Sequence, residues 1–136
     1  MCWFGGFSAN TELLLNKKFI ELLAVLLYYY AQISAGNTDP VLVKDYIAVE
    51  AIVMGVDPQM AQEVAKRESQ FICTAKGDGG KSHGCWQIHL GWHPEITKEQ
   101  ARNVIWSTQW SLREMKENGC GIWSTCEDTM RSLASP

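Results

Sequence analysis

One carboxylate, Glu68, falls in a helix stripe that is otherwise apolar. The stripe follows the i, i+3, i+4, i+7 spacing of one helix face and consists of Ala61, Val64, Ala65 and Glu68. A carboxyl group held against apolar surface has its charged form disfavoured, so its pKa rises, and such a group can act as a general acid near neutral pH. The alternative is that the helix ends near residue 69 and Glu68 points to water.

The helix that carries this acid has a recognisable start. Asp57-Pro58 supplies an N-cap side chain followed by proline at the first helical position, where its missing N–H does no harm. An earlier helix begins in the same way at Asp39-Pro40 and is predicted to run to Met54, before Gly55 ends it. We expect these two helices to form a hairpin.

The segment after this helical hairpin has a different composition. Residues 74–88 contain four glycines, which favours loops or a short, twisted β-hairpin. A long helix is predicted next, with Thr97 and Gln100 as a capping box, Asn103 as a point where the helix restarts and Gly119 as its end. Together these patterns predict a mostly α fold of the α+β type, with one small β-hairpin beside the helix that carries the acid.

Length and composition are those of a single globular domain. The chain has 136 residues, of which 46% are hydrophobic and 20% charged, and its formal net charge is −3. No cluster of lysine and arginine recurs along a helix face, so the basic surface of a nucleic-acid-binding protein is missing. We expect no nucleic-acid partner, and we expect the domain to be a monomer.

Residues 1–35 have the order of a signal peptide. Lys17-Lys18 precede an apolar run at residues 19–30, and small residues follow it. The run is shorter than the roughly 20 apolar residues that a membrane-spanning helix needs, so we expect cleavage at the end of this segment and a mature domain of residues 36–136. Two alternatives are a retained membrane or interfacial helix, with transient membrane contact through residues 19–33, and a helix packed on the domain.

The cysteines predict two disulfides. If the first segment is removed, Cys2 leaves with it and four cysteines remain, and an even number in an exported chain indicates disulfide pairing. Four cysteines allow three pairings. We favour Cys73 with Cys85 and Cys120 with Cys126, because both pairs close short local loops, and Cys73 with Cys126 is the rival.

A zinc site is the competing explanation for one of these cysteines. Cys85, His89 and His93 recur every four residues and His83 lies close by, and such a cluster can bind zinc. Glycine and proline residues within and just after the cluster break any helix that would align these side chains, and no Cys-x-x-Cys pair is present. We therefore expect no metal and no cofactor.

Three motifs follow one another in the middle of the chain: Glu68-Ser69, Gly77-Asp78-Gly79-Gly80 and Gly84-Cys85-Trp86-Gln87-Ile88. In this order they resemble the lysozyme-like superfamily, specifically goose-type lysozymes and soluble lytic transglycosylases, over roughly residues 40–126. In that family a helix ends in Glu-Ser, and a Gly-Leu-Met-Gln segment follows on a small β element.

The resemblance implies a lysozyme-like fold, with helices around a cleft that binds the glycan strands of peptidoglycan. Glu68 would be the catalytic acid of a muramidase, which protonates the oxygen of the β-1,4 bond between N-acetylmuramic acid and N-acetylglucosamine. Asp78 matches the Gly-Asp of goose-type enzymes and is the candidate for positioning water, although a Gly-Asp-Gly-Gly turn also explains an aspartate here. The resemblance implies a protein that is secreted or associated with the cell envelope.

Three departures from the family pattern leave the reaction open. His89 stands where goose-type enzymes carry a further aspartate, Cys85-Trp86 replaces Leu-Met, and the later Ala-Tyr-Asn-Ala-Gly segment is missing. Residues 121–126 instead resemble the ending of resuscitation-promoting factors, which implies a shortened cleft. The sequence therefore leaves three functions open: a hydrolase, a lytic transglycosylase, or a glycan-binding module without turnover.

Aromatic and polar residues near these motifs are candidates for binding sugar. Indole rings stack on pyranose rings, and we assign this role to Trp86 and Trp123. The Gln87 amide either binds an acetamido group or joins the hairpin together. We place His89 in the cleft, and Ser69 either touches substrate or caps the helix end.

The remaining tryptophans near this region receive a different interpretation. Trp106 and Trp110 lie four residues apart on the long helix, so we expect them to pack together. Trp92 has no assigned role.

Overall fold

The computed structural model describes residues 8–135, and most of this range is helical. Its helices are α1 Ala9–Ser34, α2 Pro40–Met54, α3 Pro58–Ser69, α4 Lys98–Arg102, α5 Val104–Asn118 and α6 Cys126–Ala134. Three short strands form one antiparallel sheet in chain order: β1 Lys76–Gly77, β2 Ser82–His83 and β3 Ile88–His89. The mostly α prediction with a small β element is confirmed, and the sheet has one strand more than the predicted hairpin.

The third strand exists because the chain reverses twice within a few residues. Gly84 and Gln87 both have positive φ, +82° and +47°, and they bracket the turn between β2 and β3. Positive φ is the conformation that tight reversals require and that glycine adopts without strain. Composition marked this segment as turn-rich, but it did not show how many strands the turns would separate.

Helix starts follow the predicted capping residues. Asp39 and Asp57 accept hydrogen bonds from backbone N–H groups of the first turn of α2 and α3, the shorter bonds measuring 2.9 and 2.8 Å. Thr97 and Gln100 form the reciprocal capping box of α4. Asn103 ends α4 and its side chain caps α5, so the restart expected there divides the helix in two. Each feature is local, which is why sequence spacing was sufficient to predict it.

The core forms around α2. This helix packs against α1, α3 and α5, and its hairpin with α3 is as predicted. From α3 the apolar members of the Glu68 stripe are fully buried: Ala61, Val64 and Ala65. The stripe therefore faces the core, and the acid at its end lies at the edge of that core.

Helix α6 was not predicted and packs against α3. Thr129 is fully buried in this contact, and Glu127 and Asp128 lie in the first turn, where the helix dipole favours acids. The acidic first turn is the one sequence signal that pointed to this helix. Its packing brings the segment just before it, with Thr125, against the end of α3.

Helix α1 packs on the domain only through its C-terminal part. Leu26 and Ile33 are buried there, and the Tyr30 hydroxyl donates a hydrogen bond of 2.7 Å to the buried Glu50 carboxylate. Within the described range no helix is both long and apolar enough to cross a membrane. Residues 1–7, and with them Cys2, lie outside the described residues, and cleavage of the first segment stays a prediction.

Gly84 allows the sheet to lie directly against α4. Its φ is +82°, and a Cβ atom at this position would collide with the backbone carbonyl oxygen of Ala101. Any side chain at position 84 would therefore suffer both backbone strain from the positive φ and a steric clash with α4.

We expect Gly84→Ala to lower the free energy of unfolding by about 2–4 kcal/mol, measured by urea denaturation. Gly79→Ala is the matched control, because Gly79 also has positive φ, +64°, but no atom lies within 4 Å of its added Cβ. The control should lose only about 1 kcal/mol from backbone strain. Equal losses at the two glycines would contradict the packing argument.

Candidate active site

A cleft of about 450 Å³ lies beside the C-terminal end of α3, between the sheet and the segment that precedes α6. This volume is within the usual range of ligand-binding pockets. Of the seven residues predicted for catalysis and substrate binding, five line the cleft: Glu68, Asp78, Gln87, His89 and Trp123. The other two, Ser69 and Trp86, are placed elsewhere.

Glu68 lies in the last turn of α3, half-buried at the cleft. The hydroxyl of Thr125 donates a 2.7 Å hydrogen bond to its Oε1. Burial raises the pKa of Glu68 above its ordinary value, the Thr125 hydrogen bond opposes that rise, and the negative charge of Asp78 adds to it. The helix does end at Ser69, as the alternative interpretation required, but the acid faces the cleft.

The chain turns sharply after the acid. Gln70 and Phe71 both have positive φ, +54° and +63°, which is uncommon for residues other than glycine. The Ser69 hydroxyl donates its hydrogen bond to the carbonyl oxygen of Cys85, at 2.7 Å, and the carbonyl oxygen of Ala65 is a second, longer acceptor at 3.3 Å. Ser69 does not line the cleft, and its hydroxyl joins α3 to the segment before β3, so the structure supports a structural role for this residue rather than contact with substrate.

Both favoured disulfides form. Cys73–Cys85 connects the segment after α3 to the turn between β2 and β3, and Cys120–Cys126 closes the loop before α6. Cys85 thus has no thiolate to offer zinc, and across residues 8–135 no group of three or more His, Cys, Asp or Glu side chains is arranged to hold a metal ion. Two disulfides are typical of proteins that function in an oxidising environment.

Asp78 is both a turn residue and a cleft residue. It begins a short 3₁₀ turn at positive φ, +50°, and its carboxylate accepts a hydrogen bond from Ser82 Oγ. Its side chain lines the cleft together with Glu68, close enough to raise the pKa of that acid. The turn interpretation therefore describes its backbone and the cleft interpretation describes its side chain.

Gln87 joins the parts of the sheet region, as one of its two interpretations proposed. Its Nε2 donates to the carbonyl oxygens of Ala75, at 3.2 Å, and Gly84, at 2.9 Å. A Cβ atom at Gly77 would collide with Gln87 Oε1, so the glycine makes room for this side chain. Its amide nitrogen is occupied by the backbone and its amide oxygen lies beside Gly77, although the residue does line the cleft.

Trp86 is fully buried, and its assignment to sugar stacking is wrong. Its indole N–H donates to the Thr108 hydroxyl on α5 at 3.0 Å, and its ring lies 5.9 Å from that of Trp123. A tryptophan whose N–H finds a partner inside the protein can be buried completely. Trp123 is also mostly buried, donating to the Trp86 carbonyl oxygen at 3.1 Å, but it does reach the cleft wall.

Three aromatic residues that the sequence did not single out as cleft residues also line the cleft: Trp92, His93 and Trp110. Trp92 is 79% exposed, and its ring lies 5.9 Å from His89. Trp110 and His93 meet edge to face at 5.0 Å and also line the cleft. Trp106 and Trp110 are each partly buried against the core, but the Trp110 ring contacts His93 rather than serving only as packing. The residues around Trp92 form turns without periodicity, so no pattern indicated which way that ring would point.

Thr125 was missed because it is 57 residues from Glu68 in sequence. Only the packing of α6 against α3 brings the two together. We expect substitutions at Thr125 and Asp78 to move the pKa of Glu68 in opposite directions, since the Thr125 hydrogen bond favours the charged carboxylate and the Asp78 charge disfavours it.

Titration of the Glu68 carboxyl carbon by NMR measures both shifts without any need for turnover. Thr125→Val should raise the pKa of Glu68, and Asp78→Asn should lower it. A general acid is active while protonated, so the alkaline limb of any pH–rate profile should move up for the first variant and down for the second. Shifts of the same sign in both variants would contradict the arrangement.

The cleft combines a half-buried acid of raised pKa, a second carboxylate and an exposed aromatic ring. Such an acid can donate a proton to a neutral leaving-group oxygen. Aromatic rings suit the apolar face of a sugar. Comparisons of this chain with protein-family models, with curated proteins and with solved structures found no match.

Proposed function

We propose that this protein cleaves the β-1,4 bond between N-acetylmuramic acid and N-acetylglucosamine in peptidoglycan, with Glu68 as general acid/base. The observation that carries the proposal is the state of Glu68, which is half-buried in a cleft, has a raised pKa and is oriented by Thr125. A carboxylic acid of this kind protonates the glycosidic oxygen while the sugar develops oxocarbenium character.

The substrate class rests on the three ordered motifs and on the cleft lining. Helices and a small sheet around one cleft are consistent with the lysozyme-like fold that those motifs imply. The cleft lining includes the aromatic residues Trp92 and Trp123 and the polar residues His89 and Gln87. Of the two rings, Trp92 has the larger exposed surface for a pyranose ring. This mixture of apolar and polar lining suits a glycan strand.

The role of Asp78 distinguishes two routes for the reaction. In a hydrolase of the inverting type, a second carboxylate orients water on the face of the sugar opposite the acid, and Asp78 is the carboxylate that lines the cleft with Glu68. In a lytic transglycosylase, the 6-hydroxyl of the sugar instead attacks the anomeric carbon as the glycosidic bond breaks, and it gives its proton to Glu68, which became a carboxylate when it protonated the leaving oxygen. His89, which replaces an aspartate of goose-type enzymes, favours neither route.

Two disulfides support a location outside the reducing cytoplasm. We propose a protein that is secreted or associated with the cell envelope, where peptidoglycan is its partner. Neither a nucleic-acid partner nor a cofactor enters this proposal.

Product analysis tests the proposal. Purified protein is incubated with peptidoglycan sacculi, the released fragments are separated by chromatography, and their masses are measured by mass spectrometry. Fragments with reducing ends would establish hydrolysis, and fragments with 1,6-anhydro ends would establish the transglycosylase route. Sacculi that bind the protein but release no fragments would contradict the enzyme and support a glycan-binding module.

A further inference from the structure

The first part of α1, residues 9–25, extends from the domain and is called the α1 arm here. Its large apolar side chains are 55–66% exposed at Leu13, Leu14, Leu15, Phe19 and Ile20. Leu13, Leu14 and Leu15 are consecutive, so on a helix they point in three directions about 100° apart. Exposed apolar side chains therefore lie on more than one side of the arm.

The arm is a fixed extension of the fold, because α1 continues into the core. The buried carboxylate of Glu50 accepts hydrogen bonds from Tyr30, at 2.7 Å, and from Gln109, at 3.2 Å. Gln109 also donates to the Tyr30 hydroxyl oxygen at 3.0 Å. Burial and the neighbouring Glu50 raise the pKa of Tyr30 to about 12, so this phenol stays a donor at neutral pH. Loss of α1 would leave a buried carboxylate without its main partner.

The arm carries four charged groups, two lysines and two glutamates, whose charges sum to zero. Lys17 and Lys18 are adjacent and exposed in its middle, and Glu21 follows Lys17 by one turn. Glu12 lies in the first turn, at the far end of the arm. Two neighbouring ammonium groups on flexible stems can reach lipid phosphates while the stems lie along apolar surface.

We propose that α1 is retained on the domain rather than cleaved, as its contacts with Glu50 and the core favour, and that the α1 arm lies in the surface of a lipid bilayer and holds the cleft at that surface. A second copy of the chain would bury one narrow stripe of a helix, about two positions in seven, and would leave the apolar side chains on the other sides of the arm in water. Lipid contacts the whole apolar sector at once, and it pairs the two lysines with phosphate.

Vesicle sedimentation of the full chain tests this proposal. We expect binding to vesicles of equal parts phosphatidylcholine and phosphatidylglycerol. The variant Leu13→Gln/Leu14→Gln/Ile20→Gln should bind roughly a hundredfold more weakly, because three apolar side chains no longer leave water. Lys17→Gln/Lys18→Gln should weaken binding to the same vesicles by roughly thirtyfold and lessen its dependence on salt.

A matched control places the same three glutamines elsewhere on exposed apolar positions. Val41, Ile52 and Met130 are 52–67% exposed on α2 and α6, and their triple glutamine variant should bind vesicles like the unmodified chain. All the substituted side chains are exposed, so melting temperatures should be unchanged, and this is measured on each variant. Glu68→Gln should also bind normally, which separates this result from the catalytic proposal.

Several results would overturn the inference. One is vesicle binding that the arm variant retains in full, and another is no binding by the unmodified chain. Dimers in vesicle-free buffer that the arm variant loses would show that a second copy covers the arm. Exported protein that begins after Ala35 would show that the arm is removed.

Discussion

Glu68→Gln is expected to reduce the release of peptidoglycan fragments by about a hundredfold or more. Glutamine keeps the size of the side chain and can still accept the Thr125 hydrogen bond, but it has no proton to donate to the glycosidic oxygen. The initial rate of fragment release from sacculi, measured by chromatography, checks the prediction. An undiminished rate would overturn the assignment of Glu68 as the acid.

Glu63→Gln is the matched control on the same helix. Glu63 pairs with Arg67 at 3.0 Å near the surface of α3 and does not line the cleft. Breaking a surface ion pair changes stability by less than about 1 kcal/mol, so this variant should cleave peptidoglycan at close to the original rate. If both variants lost the same share of the cleavage rate, the loss would reflect a disturbance of helix α3 and not the removal of the acid.

The raised pKa of Glu68 also predicts a stability effect of the same substitution. In the folded state Glu68 binds its proton more tightly than in the unfolded state, so its contribution to stability is present at low pH. That contribution is lost as the pH rises from the ordinary glutamate pKa through the raised one. At pH 7 Glu68→Gln should therefore melt at the same temperature as the unmodified chain or higher.

Trp86→Ala is expected to lower the free energy of unfolding by about 3–5 kcal/mol. The side chain is fully buried, and its removal leaves both a cavity and a Thr108 hydroxyl that no longer accepts the indole N–H. Urea denaturation followed by circular dichroism measures the change. Trp86→Phe should recover part of the loss, because it restores much of the packing but not the hydrogen bond.

Trp92→Ala is expected to have the opposite effect, since it should weaken glycan binding while leaving stability almost unchanged. Because its ring is 79% exposed, stability should change by less than about 0.5 kcal/mol. Binding of soluble glycan fragments should weaken by roughly tenfold as one stacking ring is lost. If Trp86→Ala instead reduced glycan binding with no loss of stability, the burial of Trp86 would be contradicted.

Local features of this protein were predictable from its sequence. The caps at Asp39 and Asp57, the capping box at Thr97 and the restart at Asn103 each depend on side chains within a few residues of the backbone groups they satisfy. The favoured disulfides are similarly local, as Cys73–Cys85 and Cys120–Cys126 span 12 and 6 residues. Short-range chemistry of this kind does not depend on how the helices pack.

The acid was also found from its pattern, since an i, i+3, i+4, i+7 stripe places Glu68 on the inward face of α3 whatever lies opposite. What lies opposite depends on tertiary packing. Thr125 contacts Glu68 only because α6 packs on α3, and Asp78 affects its pKa only because the sheet folds back beside it.

The burial of the tryptophans could not be predicted from local sequence. Trp86 and Trp92 are both large rings near the same motif, but one is fully buried and the other is 79% exposed. Turns have no periodicity that distinguishes an inward from an outward side chain, so sequence spacing could not separate these cases. Trp86 is buried because the fold brings α5, with Thr108, against its indole, whereas Trp92 lines the cleft with most of its ring exposed.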